Sequence, residues 1–436
     1  MFSTGGLYAP TIRHHNGVFY IVCTNVIHAN VVSGDHINDK TDNFIISTKN
    51  IWSNEWSNPI YFEFDGIDPS IFVDTDGKVY IQGSRSPGPK TEIHLFQVDL
   101  NTGEKLSRQR KIWGGTGGIY PEGPHLYKKD DFYHLIISEG GTHGGHMITC
   151  ARSKDIWGPY EGFAGNPILA ACKTNEEIQF TGHADLFEGK DGKWWVVCLG
   201  VRLDKGRIVM GRETFLTSAS WSESGWPRID QVTIKAVERG VFNGDNALLF
   251  TSVPGVDYLY IRDSILSNFV FSTDRKHITL TAAKGDFSQY EEPITFVGKR
   301  QRKLRGEATV SVRCLLRDNN SRLQAGLAYY KDEHRYIKLF YDFKTSEMIL
   351  EVKNQAKEIW KSDKHKLEQR EVAYLRIQYT PRSYSLAYKE GNDWISFEPF
   401  DTLDLSGLDF VGPVIGAFAI GDEDNSKVVC NDLEIA

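Results

Sequence analysis

The chain has 436 residues, of which 40% are hydrophobic, 25% charged and 12% aromatic, and it carries a net charge of −7 at pH 7. At about 100–200 residues per domain the length predicts two or three domains, each able to bury its own core. The acidic balance is spread along the chain with no basic patch, which argues against a nucleic-acid partner, and no apolar run approaches the ~20 residues of a bilayer-spanning helix, which argues against a membrane partner. The opening MFSTGGLYAPTIRHH lacks the charged-then-apolar layout of a secretory leader, so a cytoplasmic protein is expected. Six cysteines without a CxxC pair predict buried free thiols.

In chain order the first half reads as short runs rich in Val, Ile, Tyr, Phe and Trp, broken by turns such as HHNGV, DTDGK and EGKDGKW. Four segments share one plan, a small tetrapeptide ending in Ile or Leu, a turn, then an aromatic-rich strand. APTI (9–12) leads to FYIVCT, DPSI (68–71) to VYIQGS, GPHL (123–126) to FYHLIIS and HADL (183–186) to WWVVCLG. The closing residues Ile12, Ile71, Leu126 and Leu186 recur roughly every 55–60 residues, the length of a propeller blade of four antiparallel strands. Four blades over residues 1–240 are therefore expected, with the tetrapeptides opening the innermost strands around an axis.

The repeat is lost after about residue 236. A linker is expected over 241–257, and a second domain over 258–436. There HITLTAA, ATVSVRCLL, LQAGLAYY, RYIKLFYDF, MILEVKN, YLRIQY, SYSLAYK and VIGAFAIG alternate apolar and polar residues, as in two antiparallel sheets packed face to face. The fold class is all-β, a β-propeller followed by a β-sandwich.

Three side chains stand out by position. Asp68 in GIDPSIF opens the second repeat, Glu122 in YPEGPHLY immediately precedes the third, and His183 in TGHADLF holds the corresponding place in the fourth. In blades, these would converge on the axis from neighbouring sheets. Glycoside hydrolysis uses carboxylates converging in one pocket: one protonates the leaving oxygen, and a second, ionised one nearby keeps that proton on by like-charge repulsion. Spacing alone leaves plainer alternatives open, Asp-Pro-Ser as a turn cap and Glu-Gly-Pro as a solvated loop. The glycine-rich GGTGG (114–118) and EGGTHGGH (139–146) lack the strand–helix context of a phosphate loop and read as surface loops, with His143 and His146 as weakly supported metal ligands.

The motifs GGLYAPTIR, NFIIST, DGIDPSIF, YPEGPHLY, TGHADLF, GRETFL and SGWP, in that order, resemble glycoside hydrolase family 43, in particular its β-xylosidase/α-L-arabinofuranosidase-like members, and PITFVGKRQ and VIGAFAIG resemble the concanavalin-like sandwich that follows the propeller there. The resemblance implies an inverting hydrolase of terminal xylosyl or arabinofuranosyl residues, acting on xylo- or arabino-oligosaccharides with no cofactor required. It implies Glu122 as general acid, Asp68 as the aspartate that orients that acid and keeps it protonated, and Arg212 and His183 as sugar-binding residues. A structural calcium near His183 is a further implication. Tyr8 stands where the family usually has Trp, a smaller stacking platform.

The resemblance also implies five blades and a third acidic residue, a general-base aspartate in the first blade. This sequence begins at the second blade of that pattern, so the usual base is expected to be missing. Three ways round this stay open: a replacement carboxylate from HANVVSGDHINDKTDNF (Asp35, Asp39 or Asp42), a homo-oligomer covering the missing blade, or a longer parent protein. An inverting enzyme needs that base about 6.5–9.5 Å from the acid. A catalytically inactive sugar-binding homologue is the alternative reading, and a purely structural module a third.

Overall fold

The computed structural model describes residues 5–28, 39–53, 55–223, 225–234, 258–274, 276–289, 291–317, 321–422 and 425–435. By contacts they form two compact units. Phe2–Val201 with Glu213–Glu238 makes one, and Arg202–Arg212 with Arg239–Ala436 makes the other. The expected linker, 241–257, lies outside the described residues.

The first unit is a propeller of four sheets. Blade one is β1 (Gly6–His15), β2 (Val18–Ile27), β3 (Lys40–Thr48) and β4 (Ile60–Phe62). Blade two is β5 (Gly66–Val73), β6 (Val79–Arg85), β7 (Glu92–Gln97) and β8 (Arg110–Trp113). Blade three is β9 (Glu122–Lys129), β10 (Phe132–Glu139), β11 (Met147–Ser153) and β12 (Glu161–Gly162), with β13 (Leu169–Ala170) added to β11. Blade four is β14 (Ile178–Glu188), β15 (Trp194–Arg202), β16 (Glu213–Ser220) and β17 (Arg228–Ile229). Every pairing is antiparallel, so short turns suffice; Asn16 and Gly17, at φ 49° and 77°, make the two-residue turn that joins β1 to β2.

The apolar runs of the middle strands follow from burial on both faces. On β10, Leu135 and Ile137 pack towards blade two with Leu95 and Ile93, while Ile136 packs towards blade four with Leu186 and Val196. Period-two alternation thus feeds two cores from one strand. Val22, Ile45, Ile71, Ile81 and Phe96 fill the space between blades one and two. β1 is covered less well: Leu7 is 71% exposed and Ile12 40%, where β5 is buried over nearly its whole length.

The second unit is a β-sandwich of a seven-stranded and an eight-stranded sheet. The strands Leu323–Asp332, Arg335–Asp342 and Val414–Gly421 lie in the first sheet; Gly306–Leu316, Val372–Tyr379, Ser383–Glu390 and Lys427–Ile435 lie in the second. Leu327, Leu339, Ile377, Leu386 and Ile415 meet between them, each fully buried. The outer face of the seven-stranded sheet is covered as well, by Phe287 against Tyr330, Tyr336 and Phe418. Lys338 holds that cover by ion pairs to Asp286 at 3.0 Å and Glu351 at 2.7 Å.

Candidate active site

At the head of each inner strand the backbone makes the same unusual move. The first residue of every repeated tetrapeptide, Ala9, Asp68, Gly123 and His183, has positive φ: 30°, 53°, 59° and 47°. Pairing with the next strand slips there, between Tyr8 and Thr11 on β1, Ile67 and Ser70 on β5, and Glu122 and His125 on β9. These are bulges, which bend a strand and re-aim a side chain. A non-glycine residue held in this region costs about 1–3 kcal/mol and persists only where its surroundings fix it.

The surroundings are hydrogen bonds from the neighbouring blade. Asn43, the first residue of NFIIST, accepts from Thr24 Oγ1 and donates to the Phe64 and Gly66 carbonyls at 2.9 and 3.1 Å, tying blade one to blade two. Ser70 Oγ donates to the Pro124 carbonyl, and an Asp68 carboxylate oxygen accepts the Gly123 N–H at 3.2 Å, tying blade two to blade three. Ser138 Oγ accepts the His183 N–H at 2.5 Å, tying blade three to blade four.

Asp68, 7% exposed, is thereby docked on the peptide directly after Glu122. The half-buried Glu122 opens β9 opposite Ser138. The His183 ring lies so close to Gly123 that a Cβ there would sit 3.0 Å from it, and it meets His125 edge-on at 6.3 Å. The structure brings Asp68, the Glu122–Gly123 peptide and His183 together from three blades. Tyr8 pairs with Thr24 on β2, and its carbonyl accepts the Cys23 thiol at 3.1 Å.

The other expected site residues fall elsewhere. Arg212 belongs to the second unit, where its guanidinium lies 4.4 Å over the Phe410 ring. Asp35 lies outside the described residues. Asp39 is paired with His28 at 2.6 Å, and Asp42 is exposed on β3 opposite Asn25; both line a cavity whose described lining does not include Asp68, Glu122 or His183. His146 Nδ1 is 3.0 Å from the Phe180 carbonyl and His143 is edge-on to the Phe180 ring, so both pack on the strand that carries His183. Among the described residues no three carboxylate, imidazole or thiol groups converge as metal ligands.

The structure adds a polar cluster that reading single positions missed. Arg13 of β1 grips Asp185 of β14 with two hydrogen bonds, 2.6 and 2.9 Å, and reaches His125 Nδ1 of β9 at 3.2 Å. Tyr127 donates to Asp185 at 2.7 Å and accepts the Leu186 N–H at 2.8 Å. The Arg13 and Asp185 side chains are 25% and 22% exposed, while His125 is buried. Burial pushes the Asp185 carboxyl up, but the charges of His125 and Arg13 and the bonds from Arg13 and Tyr127 outweigh it, leaving it at about 2. Burial takes His125 the other way, down to about 3, so above that pH Arg13 is the cation of the cluster.

A second unforeseen carboxylate is Glu139, fully buried at the end of β10. It accepts the Thr116 N–H at 3.0 and 3.1 Å, the Thr116 hydroxyl, and the Thr149 hydroxyl at 2.6 Å. The GGTGG loop therefore wraps a carboxyl group supplied by the chain itself. Gly115, at φ 77°, is required there because a Cβ would stand 2.5 Å from the carboxylate. The loop leads through Tyr120 to Glu122.

Blades whose inner strands present carboxylate and imidazole at their heads, together with a β-sandwich unit, define an all-β propeller-and-sandwich protein. The comparisons make the family specific: residues 1–227 match the glycosyl hydrolases family 43, and 252–432 match the β-xylosidase C-terminal concanavalin A-like domain. The chain belongs to glycosyl hydrolase family 43. It is 30% identical to a non-reducing-end α-L-arabinofuranosidase of Bacteroides ovatus over 96% of this chain and 79% of that protein. It is 28% identical to a xylan 1,3-β-xylosidase of a Vibrio species over 92% and 79%. A family 43 crystal structure from Bacillus licheniformis superposes with a TM-score of 0.84 at 27% identity, over 98% of this chain and 85% of that one.

Proposed function

We propose that the propeller hydrolyses terminal xylosyl or arabinofuranosyl linkages by an inverting mechanism, with Glu122 as the general acid. The observation that carries the reading is the Asp68 carboxylate bonded to the peptide that follows Glu122. Glu122 gives its proton to the leaving glycosidic oxygen as the bond to the sugar breaks. Asp68 orients that acid and, as a neighbouring negative charge, favours its protonated form. His183 packs against Gly123 beside the acid and contacts the sugar, with Tyr8 as a further sugar-binding residue. Asp35, Asp39 and Asp42 are candidates for the water-activating base without an assignment among them: Asp39 is engaged by His28, and the cavity that Asp39 and Asp42 line does not include Asp68, Glu122 or His183. A calcium ion beside His183 does not fit the described residues, because that ion takes oxygen ligands and no three ligand groups converge there; no step depends on it. The related enzymes named arabinofuranosidase and xylosidase support the substrate class.

The test is hydrolysis of aryl β-xyloside and aryl α-L-arabinofuranoside. Glu122→Gln should lower kcat by about 10²–10⁴-fold, the usual contribution of a general acid. Equal rates in parent and variant would remove Glu122 from the mechanism. The reading as an inactive sugar-binding homologue draws on Asp39 being engaged by His28; sugar binding by the parent with no product from either glycoside would establish it.

A further inference from the structure

The connection from β8 to β9, residues 114–121, ends on the proposed general acid, Glu122. It is exposed from Thr116 to Ile119, and its four glycines leave such a segment many backbone shapes. One shape is imposed on it from β10. Ser138 and Glu139 are consecutive on that strand, so their side chains leave it on opposite faces. Ser138 lies opposite Glu122 in the sheet and turns its hydroxyl to blade four, where it accepts the His183 N–H. Glu139 turns the other way, to where the connection passes.

Burying a carboxyl group is costly unless donors meet it, and Glu139 is fully buried. Among the described residues its side-chain bonds come from Thr116 and Thr149 alone. Thr116 gives it both an N–H and a hydroxyl, so one residue of the connection is gripped through backbone and side chain together. Gly115 and Gly118 close over the same group, where a Cβ would stand 2.5 and 3.3 Å from it. The hold continues along the chain. The Gly140 N–H donates to the Ile119 carbonyl at 2.8 Å, and the Tyr120 N–H donates to the Pro89 carbonyl at 3.3 Å. Only Pro121, whose ring fixes its φ, then separates the last anchor from Glu122.

We propose that Glu139 is a positioning residue for the general acid: by anchoring the 114–121 connection it sets where the Glu122 carboxyl group stands relative to the leaving oxygen. The proposal rests on the hydrolase reading. A misplacement of about 1 Å can cost about 10²-fold in rate, which sets the size of the expected effect.

The experiment compares two glycosides of one sugar, xylose or arabinofuranose as the parent prefers. A phenyl glycoside needs a proton on its leaving oxygen, and a dinitrophenyl glycoside, which leaves as a stable phenolate, does not. Glu139→Ala should lower kcat on the phenyl glycoside about 10²-fold with KM little changed, and should leave the dinitrophenyl glycoside largely unaffected. Gly115→Ala drives a Cβ against the Glu139 carboxyl group and should act in the same direction; it carries the test if the buried substitution does not fold. Glu139→Gln keeps an oxygen for the Thr116 N–H and should recover most of the phenyl rate. Equal losses on both glycosides, or no loss on either, overturn the proposal, because a displaced acid is felt only where a proton is delivered. A parent that cleaves neither glycoside overturns the hydrolase reading itself, and the positioning role falls with it.

Discussion

Three of the four inner strands of the propeller meet in a charged cluster, Arg13 with Asp185, His125 and Tyr127, whereas the two sheets of the sandwich meet over Leu327, Leu339, Ile377, Leu386 and Ile415. Both interiors are ordered, but by different forces. Hydrocarbon packing is non-directional and indifferent to pH. A buried ion pair is directional and fixes which blade faces which, at a desolvation cost that leaves little net stability. The sandwich unit has buried polar pairs of its own, the Tyr329 and Tyr384 hydroxyls at 2.7 Å and the Lys331–Asp409 ion pair. Both units therefore bury paired charges, and in the propeller those charges join strands of three different blades.

The sharpest break of this comparison is Asp185→Ala, which strands Arg13 and Tyr127 without their acceptor. It should cost about 3 kcal/mol, the lower end for a broken buried pair because both partners keep some contact with water. Calorimetry should show the loss in one transition of this two-unit chain. An unchanged melting profile would mean the pair contributes nothing. Next comes Leu339→Ala in the sandwich, expected to cost about 2–5 kcal/mol according to how far the cavity collapses, and by the same amount at pH 7 and pH 5. A pH-dependent loss would show that the sandwich core is not as apolar as described.

The most specific effect is the acid response of the propeller. His125, held down to about 3, binds fewer protons folded than unfolded between roughly pH 6.5 and 3, so stability should fall as pH drops through that window, by about 1.4 kcal/mol per pH unit at most. His134, lowered to about 4 chiefly by burial, acts in the same direction. Asp185 adds its loss only between about pH 4 and 2, because its carboxyl is depressed and its stabilisation is full above the ordinary value. In His125→Gln the slope above pH 4 should flatten. Urea midpoints at several pH values measure it, and an unaltered slope would remove His125 as its source.

Much of the architecture was legible because a doubly buried strand leaves a continuous apolar run, and because the same tetrapeptide opens each blade. Asp68 and His183 hold the same place in that repeat and Glu122 directly precedes it, so their nearness at the strand heads was legible. Arg13, His125, Tyr127 and Asp185 were not, although all four lie inside the motifs GGLYAPTIR, YPEGPHLY and TGHADLF. A signal existed: Asp185 follows His183 by two residues, hence on the same strand face, and His125 and Tyr127 follow Gly123 in the same period. A partner 172 residues away cannot be read from one sequence, and so the charges looked like isolated polar residues. The grip of Glu139 on the GGTGG loop was hidden for the same reason. Glycine runs announce close approach without saying to what.

The positive-φ kinks at the heads of the inner strands carry a consequence for change over evolutionary time. Ala9, Asp68, Gly123 and His183 share a positive φ with four unrelated side chains, and at Gly123 and His183 a bond from the adjoining blade holds the N–H. The rim therefore works as a row of equivalent sockets into which a lineage can plug a methyl, a carboxylate, nothing or an imidazole while the scaffold stays put. Of the two that carry no functional group, Gly123 is closed to a side chain by the His183 ring, 3.0 Å from where a Cβ would stand, which leaves Ala9 as the place where new chemistry could be installed.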